Sequence, residues 1–181
     1  MEQPKIIELN MQQLAKQNLW ATVYCTISLI ALNIFIHGQF SAKFQLLHIF
    51  YFLVLYLVLI ALHEIFHLVG FMLFGRVHYR DLNYGVNLKL GVAYATTSEP
   101  LRNSAMKKAL LLPFWTTGVV PALCGLYFDN YLLLTVAAAL IAGAVGDFTM
   151  YRALRKFPND ALVKDDPELP KLYVYSDSHS L

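Results

Sequence analysis

Charge is scarce in this chain. Of 181 residues only 14 are Lys or Arg and 12 are Asp or Glu. That is 14% charged, against about 25% in an ordinary soluble domain. The shortage excludes a disordered chain kept open by charge and a nucleic-acid binder that relies on bulk basic character. Cysteine is scarcer still. Cys25 and Cys124 each sit inside an apolar run, where a free thiol fills space, so no disulfide framework is expected. There is no internal repeat and no low-complexity segment. The first eighteen residues mix Lys with Glu and lead into no small-residue cleavage site, unlike a secretory leader. The first apolar stretch is therefore expected to be retained.

Apolar side chains are abundant instead, at 57% of the chain with a mean hydropathy of +0.50. A soluble core of this length could not hide so much apolar surface, and the composition points to a polytopic membrane protein. Four stretches reach the roughly 20 apolar residues that cross a bilayer. They run over about 19–37, 46–75, 109–128 and 131–151. The third contains Pro113 and Pro121, which should kink it. Only Asp129 and Asn130 separate the third from the fourth, so those two form a tight helical hairpin.

The few cations divide unevenly. Lys5, Lys16, the six between Arg76 and Lys108, and the five of the tail from Arg152 to Lys171 all fall on one side of a four-span arrangement. Lys43 alone falls on the other, a partition of 13 to 1. By the positive-inside rule both termini and the long loop face the cytoplasm. The expected fold class is an all-α membrane protein: four transmembrane helices and a short cytoplasmic-side β-hairpin or strand between helices two and three. The expected divisions are a cytoplasmic N-terminal segment 1–18, a membrane-embedded domain 19–151 and a cytoplasmic tail 152–181, whose patch Leu172 to Tyr175 could add a strand.

The strand expectation comes from the loop between spans two and three. There Leu82, Tyr84, Val86, Leu88, Leu90, Val92 and Tyr94 alternate with smaller or more polar residues. A period of two marks a strand or hairpin with one apolar face, and an exposed edge there could hold an extended substrate by β-augmentation.

The second span carries His63-Glu64-Ile65-Phe66-His67. Positions four apart share a helix face, so the two imidazoles can take adjacent corners of a tetrahedral metal site. Given this composition, the H-E-x-x-H pattern arises by chance roughly once in two hundred such chains. A carboxylate within a membrane helix is costly and marks a functional site by default. A third ligand follows by elimination, because among the acidic residues only Glu64 and Asp147 lie within the four spans. His48 is fifteen residues from His63, about 22 Å along a helix axis, and is too far away. Ala139, Gly143 and Asp147, spaced four apart, share a face of span four flanked by Ala138, Ala142 and Gly146, and such small residues let membrane helices pack closely. Zinc held by His63, His67 and Asp147 would keep one position for water, with Glu64 as general base and then acid in peptide hydrolysis.

The motif set resembles a known group. His63-Glu64-x-x-His67 in one membrane helix and Gly146-Asp147 in a later one resemble the site-2-type intramembrane zinc metalloproteases. The whole chain is similar to a small bacterial zincin-peptidase family of unknown function, through the histidine motif, Ser98-Glu99-Pro100, Leu112-Pro113, Gly146-Asp147, Asp166-Pro167 and Tyr173-Val174-Tyr175. The resemblance implies a multi-pass zinc peptidase of the bacterial cell membrane, with Glu64 catalytic, Asp147 as third ligand and membrane-anchored proteins as substrates. Where many site-2-type proteases carry Asn-Pro-Asp-Gly, this chain has Val145-Gly146-Asp147-Phe148. The competing class is a non-catalytic or metal-handling membrane protein that keeps a zinc site. A transport path is disfavoured because the outer halves of the spans hold few polar residues beyond Thr22, Asn33 and His48.

Overall fold

Among the described residues, four helices are long and apolar enough to cross a membrane: Met11–His37, Leu46–Gly75, Asn103–Tyr127 and Tyr131–Leu154. Together they make the chain a multi-pass membrane protein. A computed structural model describes residues 3–43, 45–87, 92–166 and 169–175. Its elements run β1 (Lys5–Glu8), α1 (Met11–His37), α2 (Leu46–Gly75), a 3-10 turn (Tyr79–Asp81), β2 (Leu82–Asn87) and β3 (Val92–Thr97). They continue with β4 (Leu101–Arg102), α3 (Asn103–Pro113), a π-helical segment (Phe114–Val119), α4 (Val120–Tyr127), α5 (Tyr131–Gly143), α6 (Val145–Leu154), β5 (Leu162–Asp165) and β6 (Lys171–Tyr175). The chain divides into two compact units, one of Met1–Asn10, Glu64–Pro113 and Gly146–Leu181, the other of Met11–His63 and Phe114–Val145.

The first unit is built on a four-stranded antiparallel sheet in the order β1-β6-β5-β4. Its core is Phe71 from α2, Met106, Ala109 and Leu110 from α3, Met150 and Leu154 from α6, and Val163, Leu172 and Val174 from the sheet. The apolar patch Leu172 to Tyr175 is indeed a strand. The N-terminal segment and the tail meet in this sheet: β1 and β6 pair with each other, Ile6 opposite Tyr173, and Leu172 and Val174 are 1% exposed. The Asp166 carboxylate closes the β5–β6 connection by accepting from Tyr173 Oη at 2.8 Å and from the Leu169 amide at 2.9 Å. Asn103, fully buried, reaches the carbonyls of Leu154, Phe157 and Pro158 at 2.8–3.1 Å with its Nδ2. It thereby ties the end of α6 and the turn that follows it to the first residue of α3.

β2 and β3 form a separate two-stranded antiparallel hairpin, so the expected hairpin between helices two and three is present. Its register splits the alternating set. Tyr84 pairs with Ala95, Gly85 with Tyr94 and Val86 with Ala93, and cross-strand partners share a face. Tyr84 and Val86 therefore lie on one face and Tyr94 on the other, which corrects the expectation of a single apolar face. The reason is that the chain reverses between Asn87 and Val92, and an alternation read straight through a reversal need not keep its side. Tyr94 packs across Gly85, where an added Cβ would stand 2.7 Å from its hydroxyl. Leu88 and Leu90 lie outside the described residues.

The second unit consists of helices. Asn18 Nδ2 donates to the Ala142 carbonyl at 3.4 Å, and His37 Nε2 meets the Leu126 carbonyl at 2.8 Å. The Asp129 carboxylate accepts from Asn33 at 2.6 Å and from Ser41. These two bonds hold the Asp129 carboxyl below its ordinary value. Asn130 caps α5 by accepting from the Leu133 amide at 3.0 Å, so the two-residue turn expected between the last spans is pinned from both sides. Many side chains of α1 and α2 stay exposed, Phe35 at 85% and Leu46 at 80%, as lipid-facing surfaces require.

After Pro113 the third span passes from α3 into the π-helical turn. One span expectation changes. Span four is interrupted at Ala144, between α5 and α6, so Ala139, Gly143 and Asp147 do not lie on one continuous helix face. A Cβ added at Gly143 would meet nothing within 4 Å. The fully buried small residues are Ala137, Ala138, Ala142 and Ala144.

Candidate metal centre

The site begins with the regularity of α2. No proline or glycine interrupts the helix between Leu46 and His67, so His63 and His67 stand one turn apart on one face. Beyond them small residues set the packing. A Cβ added at Gly70 would lie 2.8 Å from Ala109 Cα and 2.9 Å from Ala109 Cβ. The glycine therefore lets the backbones of α2 and α3 touch at Ala109. That contact brings the Ala109 carbonyl to 3.2 Å from His67 Nδ1.

This bond decides the state of His67. A carbonyl oxygen only accepts, so Nδ1 carries the proton and donates. In the neutral ring Nε2 then keeps its lone pair, as metal ligation requires. His67 is 6% exposed, and its ring stacks near Phe71 with centroids 6.5 Å apart. Nε2 faces Asp147 Oδ1 at 3.5 Å. Asp147 sits in the first turn of α6, where helix amides favour a negative charge. His63 Nδ1 lies 3.1 Å from Thr117 Oγ1.

His63, His67 and Asp147 each offer one ligand atom, all within 4.8 Å of one another. Ligands about 2.0–2.1 Å from a shared tetrahedral ion stand roughly 3.3 Å apart. The His67–Asp147 separation of 3.5 Å is already close to that. The donor set, two neutral imidazoles and one carboxylate, suits zinc. Glu64 follows His63 directly on α2. The three residues singled out as ligands are thus brought together, while the hairpin set is divided as described above.

Sequence reasoning missed three neighbours. Ala109 acts through a backbone carbonyl, which carries no residue-type signal. Thr117 is 1% exposed in the π-helical turn, and a lone Thr in an apolar run is unremarkable. Asp165 ends β5; burial pushes its carboxyl up to about 8. The motif stretch Ser98-Glu99-Pro100 has a structural part to play. Ser98 donates through its amide and its hydroxyl to the Asp81 carbonyl, at 2.9 and 3.1 Å, tying the base of the hairpin to the 3-10 turn.

No curated protein and no solved structure matches the chain. A family model described as "Putative zincin peptidase" matches residues 56–162, a stretch that carries His63, Glu64, His67 and Asp147. That span is more than half of the chain, and with the histidine pair and its carboxylate in place the protein belongs to this zincin peptidase family.

Proposed function

We propose that this protein is a membrane-embedded zinc metallopeptidase that hydrolyses peptide bonds of membrane-anchored proteins near the cytoplasmic face of a bacterial cell membrane. The observation that carries the reading is the convergence of Asp147, from a distant part of the chain, on the histidine pair of α2, with all three ligand atoms within 4.8 Å. The partition of Lys and Arg, 13 to 1 across the spans, supports the orientation.

His63, His67 and Asp147 would hold the ion. When bound, zinc supplies Lewis-acid polarisation of the scissile carbonyl and acidifies water. Glu64 takes the proton from the attacking water and returns it to the leaving amine. Asp147 also offsets the cation's charge, which lowers the cost of an ion next to hydrocarbon. The β2–β3 hairpin is the proposed substrate platform. Each of its strands pairs only with the other among the described residues, which leaves strand edges for an extended peptide. Tyr84 and Val86, 75% and 64% exposed, offer apolar contact to that peptide or to the bilayer surface.

The test compares wild type with Glu64→Gln, both purified as full chains. Zinc content and cleavage of candidate membrane-anchored substrates are measured together. Equal zinc with cleavage confined to wild type supports the peptidase. Equal zinc and equal cleavage removes Glu64 from the chemistry, and zinc without cleavage in either favours the non-catalytic, metal-handling reading. For the platform, proline replacements along β2 should impair cleavage and spare zinc binding; unchanged cleavage discards it.

A further inference from the structure

Both histidines of the motif are gripped at Nδ1, and the second grip has no place in the chemistry described so far. His67 Nδ1 meets the Ala109 carbonyl at 3.2 Å. His63 Nδ1 meets the Thr117 hydroxyl at 3.1 Å. A carbonyl dictates the ring's tautomer; a hydroxyl can either accept or donate.

We propose that Thr117, presented by the π-helical turn Phe114–Val119, is a positioning residue that accepts a hydrogen bond from His63 Nδ1–H and so presents Nε2 of His63 to the metal. The inference rests on the metal-centre reading above. Three features support it. First, Thr117 is 1% exposed, and a hydroxyl buried in an apolar helix costs free energy unless it is hydrogen-bonded. Second, the turn that carries it departs from regular helix directly after Pro113. Proline removes an amide from the ladder, and a π-helical turn changes the face that the following residues present. Such turns recur at functional sites. Third, the turn is held in place at its next residue. A Cβ added at Gly118 would press on Ile141 Cγ1 at 3.0 Å, so the glycine lets this backbone seat closely against α5.

The pairing has a chemical consequence. A metal-bound imidazole whose second nitrogen donates to an oxygen is fixed in tautomer and ring angle and is a better ligand. With Ala109 at one ring and Thr117 at the other, both Nε2 atoms are available before any ion arrives, and the ion meets a preorganised pair.

The test uses full-length protein in nanodiscs, with Thr117→Val and Thr117→Ser variants. Valine keeps the volume and removes the hydroxyl; serine restores it. Zinc affinity by chelator competition should fall about 10- to 100-fold in Thr117→Val and return to within about threefold of wild type in Thr117→Ser. Unchanged affinity in Thr117→Val overturns the proposal, as does an equal loss in both variants, which would mean packing alone. Nitrogen-15 spectra of His63 in metal-free wild type, assigned by their loss in His63→Gln, should show a protonated Nδ1 and an unprotonated Nε2. A dominant Nε2–H form overturns the proposal even if the valine variant fails to fold. Because this readout needs no zinc, a wild type that binds none would refute the metal reading and leave the Thr117 assignment to the spectra.

Discussion

Replacing Gly70 by alanine should weaken metal binding without touching a ligand. The added Cβ would lie 2.8 Å from Ala109 Cα and 3.3 Å from Ala109 O, where ordinary contact starts at 3.4 Å. The obstacle is backbone, so no side chain can swing aside, and α2 and α3 must part by about 0.6 Å at that level. The His67–Ala109 bond starts at 3.2 Å. The same displacement would take it to about 3.8 Å, outside hydrogen-bond reach. His67 then loses the acceptor that sets its tautomer. Losing an outer partner of this kind costs about 10- to 100-fold in metal affinity, and the overpacking costs about 1–3 kcal/mol of stability. The assay is zinc competition together with thermal unfolding in the same detergent. Gly143→Ala is the control, since a Cβ there meets nothing within 4 Å. Wild-type zinc affinity in Gly70→Ala would refute the claim that the α2–α3 contact orients His67.

Asn103→Ala removes the amide that reaches the carbonyls of Leu154, Phe157 and Pro158. Leu154 and Pro158 keep the amides of Phe157 and Ala161 as donors, so the loss falls mainly on the Phe157 carbonyl and should cost about 1–3 kcal/mol, read as a fall in Tm; a loss below about 1 kcal/mol would count against a structural role for this amide. Asp165 has its carboxyl raised from 3.8 to about 8 by burial, so between those values the folded chain keeps a proton that the unfolded chain has released. This group's contribution to stability is therefore full below about pH 4 and is lost progressively as pH rises to about 8. Asp165→Asn should flatten that decline in a Tm-against-pH series, and an unaltered slope would count against it.

Much of the membrane architecture was legible because its signals are physical necessities. A span must be long and apolar, which marked all four helices. The hairpin was legible as a period of two, but its facing was not. Alternation is a local property, whereas the side a residue takes after a reversal depends on the register, which here pairs Gly85 with Tyr94. The sheet β1-β6-β5-β4 was largely hidden for a related reason. Its neighbours β1 and β6 lie far apart in the chain, and Lys5–Glu8, with two charged residues out of four, shows no apolar run that would mark it out.

The site divides along the same line. His63, Glu64 and His67 are a local pattern and could be read directly. Asp147 could be read only because a bilayer makes acidic residues rare enough to eliminate. The contacts that orient the ligands left no trace, and the reason is chemical. One is a main-chain carbonyl, at Ala109, available from any residue type. Another is a glycine that matters for the side chain it lacks, Gly70 against Ala109. The small residues of span four show the same limit. The expected contact face ran through Gly143, yet the regular helix is interrupted just after it, and the buried positions are Ala138 and Ala142, which the sequence offered only as flanking that face. Small size permits close approach but does not say from which side the neighbour comes. In this chain the candidate ligands are therefore marked by residue identity, while the aim of His67 rests on backbone proximity.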